Sequence, residues 1–396
     1  MKRLSVLLFF LCHILLSPSL CLSQPYLKIG AMVPFSGRWE EQGKECAKGI
    51  LDASKWINQR GGILGRPLEV VLIHDTNQVA ETMAAFRKLN ESDQVLLLYL
   101  HSLETALCLL PHIQHYRMPT VVSSLPSSLT ASAKYPYLFT VTPTPSDLAK
   151  VAMRFVAEKS GIKSKNPKVT FLGYPDTLGR HFLDETKAYA KDRGIHIGPD
   201  LWIPSLFKPP DHLSSERLET LLAPLFSGIA EFGPDFVYLT LSAKEAFLVL
   251  SEARRHPTKT TWFGSAKAFD ETLSLFDGVM GVQPVAPFGE DVPGMVPIRE
   301  AHQRWHPLDS HTLSYVEGWA TVQVIAEVLG RALPEQRLSR QQIKIAFEEL
   351  KGFLTGGLLP PITFTERDHR PSLESRILMV REGKIVRHTE FLSITK

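Results

Sequence analysis

Apolar and polar positions along this chain alternate in two rhythms, one of period two and one of period 3.6. The apolar run Lys28-Ile29-Gly30-Ala31-Met32-Val33-Pro34 predicts a strand, and the turn Phe35-Ser36-Gly37-Arg38-Trp39 follows it. A helix is then expected over 43–59, with Ala47, Ile50, Leu51, Ser54, Ile57 and Asn58 on one stripe and Lys44, Lys48, Asp52 and Lys55 on the other. That is the spacing of a helix face laid on a sheet. Arg60-Gly61-Gly62 stops it, since glycine takes the left-handed cap conformation without a steric penalty, and Pro67 leads into a strand over 68–73. Strand, helix and strand of these lengths make a right-handed βαβ unit.

The alternation continues. A helix over 79–89 places Val79, Met83 and Phe86 inward, and the unbroken apolar run 95–99 reads as a strand covered on both faces. A helix over 102–116 and strands over 120–123 and 137–141 follow. Thr142-Pro143-Thr144-Pro145 is a stiff turn and a crossing point between domains. A second series then starts: helix 146–159, strand 168–173, helix 179–193, strand 195–197, helix 214–231, strand 235–240, helix 243–255 and strand 261–264. Beyond it, strand 281–285, a helix over 296–305, a long helix over 314–332 and a serine-capped helix over 339–350 precede a C-terminal hairpin turned by Glu382-Gly383. Lys208-Pro209-Pro210-Asp211-His212 reads as an exposed insertion. Two βα series joined by a proline-rich hinge predict two doubly wound α/β lobes, 24–142 with 273–372 and 143–272 with 373–396.

Composition changes this picture little. The chain has 396 residues, 44% hydrophobic and 21% charged, enough for two domains, and its net charge of +3 predicts no nucleic-acid partner. The N-terminus stands apart. Lys2 and Arg3 precede the apolar run 4–16, Ser17-Pro18-Ser19 breaks it, and small residues before Gln24 suit signal-peptidase cleavage after Ser23. Removal of 1–23 implies a periplasmic or extracellular protein. A retained membrane anchor and a lipid anchor at Cys21 are the alternatives. Cys46 and Cys108 remain in the mature chain, and two buried free thiols are expected over a disulfide.

The search for enzyme chemistry returns little. Gly61-Gly62-Ile63-Leu64-Gly65 follows a helix and precedes a strand, the reverse of a dinucleotide fingerprint, and there is no P-loop and no G-x-S-x-G elbow. His112 and His115 read as surface histidines sooner than as metal ligands, and Asp368-His369 as a turn hydrogen bond sooner than as a catalytic pair. No enzyme, metal or cofactor is expected. A ligand site has stronger support, because ligands of open α/β sheets collect outside the carboxyl ends of the strands. Those ends carry Ser36 to Trp39, His101-Ser102, Ser123-Ser124, Tyr174 to Thr177, Thr240 to Ser242 and Ser265-Ala266-Lys267. Ser102 opens a helix, so its hydroxyl and the free N–H groups behind it are positioned to hold an anion.

Phe35-Ser36-Gly37, Gly43 and the run Ile57-Asn58-Gln59-Arg60-Gly61-Gly62-Ile63-Leu64-Gly65-Arg66-Pro67-Leu68 resemble the start of the branched-chain amino-acid (Leu/Ile/Val) type of periplasmic solute-binding protein. The resemblance extends through 99–102, 119–130, Asp235-Phe236-Val237-Tyr238, 314–329 and Gly356-Gly357 before Ile362-Thr363-Phe364. It implies two lobes with a three-strand hinge, a small-molecule ligand trapped between them and delivery to an ABC permease; a monomer is expected. A ligand sensor of the same fold is the alternative. By the resemblance, Ser102 and the Ser123 to Ser127 loop bind the carboxylate of an amino-acid-like ligand; beside that, Trp39 is expected as a stacking wall, with Tyr174, Thr240 and Lys267 closing from the second lobe. The sequence departs from the family at Leu178, at Ser242 and at Ala266, which stands where family members keep an acid for the ligand ammonium. A buried ammonium without a counter-charge is costly. An anionic, amide-like or aromatic acid ligand beside Lys267 and Arg38 is therefore expected.

Overall fold

The computed structural model describes residues 26–158, 161, 166–175, 177–203, 215–334 and 338–395. The expected leader at 1–23 and the insertion at 208–212 lie outside these residues.

In the first lobe β1 (Leu27–Val33), β2 (Leu68–His74), β3 (Leu97–Leu100), β4 (Thr120–Val122) and β5 (Leu138–Phe139) make a parallel sheet in the order β2-β1-β3-β4-β5. Every residue of β3 is buried, because α1 (Glu40–Gln59), α2 (Val79–Arg87) and α3 (Leu103–His115) accompany these strands and cover the sheet. The second lobe carries β6 (Lys168–Gly173), β7 (His196–Ile197), β8 (Leu201–Trp202), β9 (Phe236–Leu239), β10 (Thr261–Gly264), β11 (Met280–Gln283), β12 (Glu374–Arg381), β13 (Lys384–Arg387) and β14 (Leu392–Ser393). Its sheet runs β13-β12-β11-β10-β9-β6-β7, parallel from β11 to β7 and antiparallel from β11 outward. Each half is thus a doubly wound α/β sheet, as the alternation of elements predicts. The hairpin β12–β13 turns through Glu382 and Gly383, both at positive φ, which matches the twist of the two strands.

The second lobe's helices are α4 (Pro145–Glu158), α5 (Thr177–Lys191), α6 (Ser215–Phe232) and α7 (Ala243–Ala253). The chain then returns to the first lobe for α8 (Met295–Trp305), α9 (Leu313–Ala332) and α10 (Arg340–Glu348). Three passages join the lobes: β5 to α4 through the proline-rich turn, β11 to α8, and α10 to β12. Arg376 on β12, only 2% exposed, binds across these passages. Its guanidinium meets Glu290 at 3.1 Å and the Gly357 carbonyl at 2.8 Å.

Three expectations change. The second passage does not lie at 273, because β11 is hydrogen bonded to β10 and so belongs to the second sheet through Gln283. The loop before it folds back as a short 3-10 turn at Glu271–Leu273, whose polar look resembles a crossing. On α1 the inward face is rotated, so that Leu51 is exposed and Asp52 is buried. The cause is α9, which lies against α1 so closely that a Cβ on Gly49 would sit 2.0 Å from the Tyr315 carbonyl oxygen. Asp52 there accepts a hydrogen bond from the Tyr315 hydroxyl at 2.8 Å. Val79, placed inward by periodicity, is exposed on the first turn of α2, while Phe86 is buried.

Candidate functional site

The carboxyl ends of both sheets face one cavity of about 270 Å³. From the first lobe come Arg38 and Trp39 after β1, Gln42 on α1, Leu103 and Glu104 opening α3, Ser123 and Ser124 after β4, and Leu313, Ser314 and Glu317 at the start of α9. From the second come Tyr174 after β6, Tyr238 and Thr240 at the end of β9, Ala266, Lys267 and Asp270 after β10, and Gln283 closing β11. Hydroxyls, amides and charges thus stand on a largely apolar wall, the common make-up of a small-molecule site.

Of the seven residues expected from the sequence, Trp39, Ser123, Ser124, Tyr174, Thr240 and Lys267 line this cavity, and Ser102 does not. Ser102 is the N-cap of α3. Its hydroxyl accepts a hydrogen bond from the Thr105 N–H at 3.2 Å and lies 2.8 Å from Asn77 Oδ1 and 2.9 Å from Glu104 Oε2. The feature that suggested an anion holder, a serine opening a helix, is here satisfied by the helix itself. Ser102→Ala is accordingly expected to lower unfolding free energy by about 1 kcal/mol in urea titrations.

The two lobes touch around the cavity. Lys267 Nζ donates to Ser123 Oγ at 3.1 Å across the cleft, and the Ser123 hydroxyl donates to Glu317 Oε1 at 2.8 Å. Gln42 Nε2 reaches from α1 to Asp270 Oδ2 at 3.0 Å. Arg38 lies over the Tyr174 ring, 4.5 Å from its centroid, and 3.8 Å from the carboxylate of buried Glu245. The Tyr174 hydroxyl accepts from the Ser242 N–H at 3.0 Å, which fixes the ring. Ser242 in turn opens α7 with a capping box to Glu245. Thr240 Oγ1 is 3.3 Å from the Leu172 carbonyl.

Beneath the first-lobe wall runs a buried chain of Cys46 Sγ, Tyr99 Oη at 3.2 Å and His101 Nδ1 at a further 3.3 Å. Burial, with Glu317 adding to it, pushes the Cys46 thiol up to about 12. Burial and then Lys267 hold His101 well below the ordinary histidine range. Both groups are therefore neutral at physiological pH, and Cys46 remains a thiol without nucleophilic character. Cys46 is buried and Cys108 half-buried, and both are free.

Asp368 and His369 make no pair. The Asp368 carboxylate binds Arg370 at 2.7 Å, whereas the buried His369 ring stacks on Phe139 and bonds the Leu138 carbonyl at 2.7 Å and Glu348 at 3.1 Å. The hydrogen bond expected within the turn is made by Asp368, whose carboxylate accepts from the Arg370 N–H at 3.0 Å, while His369 bonds into the core. His112 packs on Phe86 and His115 on Tyr116. Among the described residues no group of three or more His, Cys, Asp or Glu is arranged to hold a metal ion, and no helix is long and apolar enough to cross a membrane.

Sequence reasoning missed Gln42, Glu104, Asp270, Gln283 and above all Glu317. A signal for Glu317 exists, since it is the one charge between Leu313 and Ala326, the other charges of the helix, Glu327 and Arg331, lying in its last two turns.

No curated protein matches the chain. Solved structures of similar fold include a branched-chain amino acid ABC transporter protein from Thermus thermophilus with bound valine. Its TM-score is 0.80 at 20% identity, over 94% of this chain and 97% of that one. A fatty acid ABC transporter substrate-binding protein from Thermomonospora curvata gives 0.78 at 21% identity, over 94% and 93%. An ABC transporter solute-binding protein from R. palustris in complex with benzoate gives 0.74 at 16%, over 93% and 98%. The periplasmic binding protein family model matches residues 26–384. With two α/β lobes meeting over a shared cavity and a family match spanning nearly all of the described chain, this protein belongs to the periplasmic binding protein family.

Proposed function

We propose that the protein captures a small polar ligand, amino-acid-like, amide or small organic acid, between its lobes and delivers it to an ABC-type permease. It does so as a monomer outside the cytoplasmic membrane, after loss of residues 1–23. The observation that carries the reading is the cavity itself, which opens at the carboxyl ends of both sheets and takes its polar groups from both lobes. Ser123 and Ser124 form the first-lobe cradle and Trp39 its stacking wall, while Tyr174, Thr240 and Lys267 close from the opposite side. The ligand favours the closed arrangement by adding contacts to both lobes at once, which is the differential affinity a hinge motion requires. The neighbours with fatty-acid, valine and benzoate names or ligands support the general role and leave the ligand class of this chain open.

A thermal-shift screen of amino acids, amides, urea and small aromatic acids tests the proposal. A ligand held only by the folded protein at a hundred times its Kd adds about 2.7 kcal/mol of stability and raises the melting temperature. The expected hit loses affinity in Trp39→Ala and Ser123→Ala. A hit unaffected by either substitution would place the ligand elsewhere.

A further inference from the structure

Beside the cavity the N-terminal ends of α1 and α7 meet across the cleft, and each presents one acid and one base to the other. Arg38, in the 3-10 turn that runs into α1, lies 3.8 Å from Glu245 Oε1 on α7. Lys244, next to Glu245 in the same turn, lies 3.8 Å from Glu41 Oε1 on α1. The pairs are reciprocal: a base of either lobe faces an acid of the other. Two helix N-termini brought together oppose their positive ends, and the acids of their first turns, Glu40, Glu41 and Glu245, offset that. Glu40 is committed to Lys44 on its own helix at 2.5 Å, which leaves Glu41 as the acid of α1 that Lys244 approaches.

These pairs differ from the other cross-cleft contacts in where they sit. Lys267, Ser123, Gln42 and Asp270 all line the cavity, whereas Glu41, Lys244 and Glu245 do not. They reach it through one residue. Arg38 covers the Tyr174 ring, and the Tyr174 hydroxyl is held by the N–H of Ser242, the N-cap of α7. The helix end that carries Lys244 and Glu245 therefore also fixes a wall of the cavity.

Building on the reading of this cavity as a ligand site between closing lobes, we propose that Arg38, Glu41, Lys244 and Glu245 form a charge-paired latch that biases the lobes toward the closed arrangement. Contacts made only when the lobes meet favour closure whatever the cavity holds, and apparent affinity rises with the fraction of molecules that are closed. Glu41 and Lys244 are thus positioning residues, acting through the lobes and not on the ligand. The exposed Glu41–Lys244 pair contributes little alone, while Arg38 meets a carboxylate that is fully buried and less screened.

The test measures the distance between the lobes by fluorescence transfer in the full-length protein, labelled at Val79→Cys and Lys259→Cys with Cys108→Ser, Cys46 being buried. Lys244→Glu and Arg38→Gln are each expected to raise the long-distance population about threefold or more, with the melting temperature unchanged. Adding Glu41→Lys to Lys244→Glu restores the pair with its signs exchanged and is expected to return the wild-type distribution. Salt at about 1 M, where the screening length falls to about 3 Å, is expected to open the wild type and to change Lys244→Glu less. Distributions unchanged in both single variants, or an opening in Lys244→Glu that Glu41→Lys does not reverse, would overturn the latch. Either result leaves the cavity reading to the ligand screen, which these variants do not decide.

Discussion

Alanine at Gly49 is expected to destabilise the protein by about 3 kcal/mol or more, read as a lower urea midpoint with an unchanged slope. The added Cβ would stand 2.0 Å from the Tyr315 carbonyl oxygen and 3.0 Å from the Trp319 nitrogen. These are backbone atoms of α9, so no side chain can swing aside to make room. The contact is reciprocal, since a Cβ on Gly318 would meet the Cys46 carbonyl oxygen at 2.3 Å. Separating the helices would strain the Tyr315–Asp52 hydrogen bond and withdraw Ser314 and Glu317 from the cavity wall. Gly330, further along α9, is the control. Its nearest neighbour is the Ile63 methyl group at 3.7 Å, so Gly330→Ala is expected to be neutral or to stabilise by up to about 1 kcal/mol through helix propensity. Equal effects at the two sites would show that close helix contact is not what the glycine at 49 provides.

Glu271→Gln is expected to remove a fall in stability that the wild type suffers as pH rises. Burial, with Asp270 beside it, pushes the Glu271 carboxyl up from 4.5 to about 8, while both of its oxygens lie 3.1 Å from the Leu313 N–H. The folded protein therefore holds a proton that the unfolded chain releases. Its contribution is fully present below pH 4.5 and is lost as pH rises through about 8. At about 1.4 kcal/mol per pH unit the full loss is at most about 5 kcal/mol. Urea unfolding of wild type and Glu271→Gln across that window gives the quantity as a difference, so other titrating groups cancel. Parallel profiles for the two proteins would mean that Glu271 is ionised in the folded state at neutral pH. The contact joins the second lobe's 3-10 turn to the first turn of α9.

Much of the fold was legible because strand length, apolar continuity and glycine stops are local signals. The run around Leu97 to Leu100 has no polar residue to place at a surface, which already specifies a strand buried on both faces. The lining of the cavity was legible to the extent that it sits at strand ends, where Ser123, Tyr174, Thr240 and Lys267 stand. What depended on one helix meeting another was not legible. Leu51 and Asp52 are neighbours on α1, and only the crossing of α9 decides which of them is buried. Glu317 faces the cavity for the same reason, in a helix whose pattern otherwise announces only core. Ser102 misled for a different cause, since a serine that caps a helix and a serine that awaits an anion look identical in sequence. The return near 273 was misplaced because a polar turn inside a lobe and a polar turn between lobes have the same composition.

The three passages between the lobes also govern how the molecule is made. Neither lobe is a single stretch of chain: the first sheet is complete by Phe139, but its partner helices α8 to α10 are synthesised only after β11, and the second sheet waits for β12 at Glu374–Arg381. A nascent chain emerging N-terminus first cannot finish either half until almost the whole polypeptide is available. Completion of either half is thereby deferred until nearly the whole polypeptide is available, and the order of delivery, more than local stability, limits when both lobes can meet over the cavity.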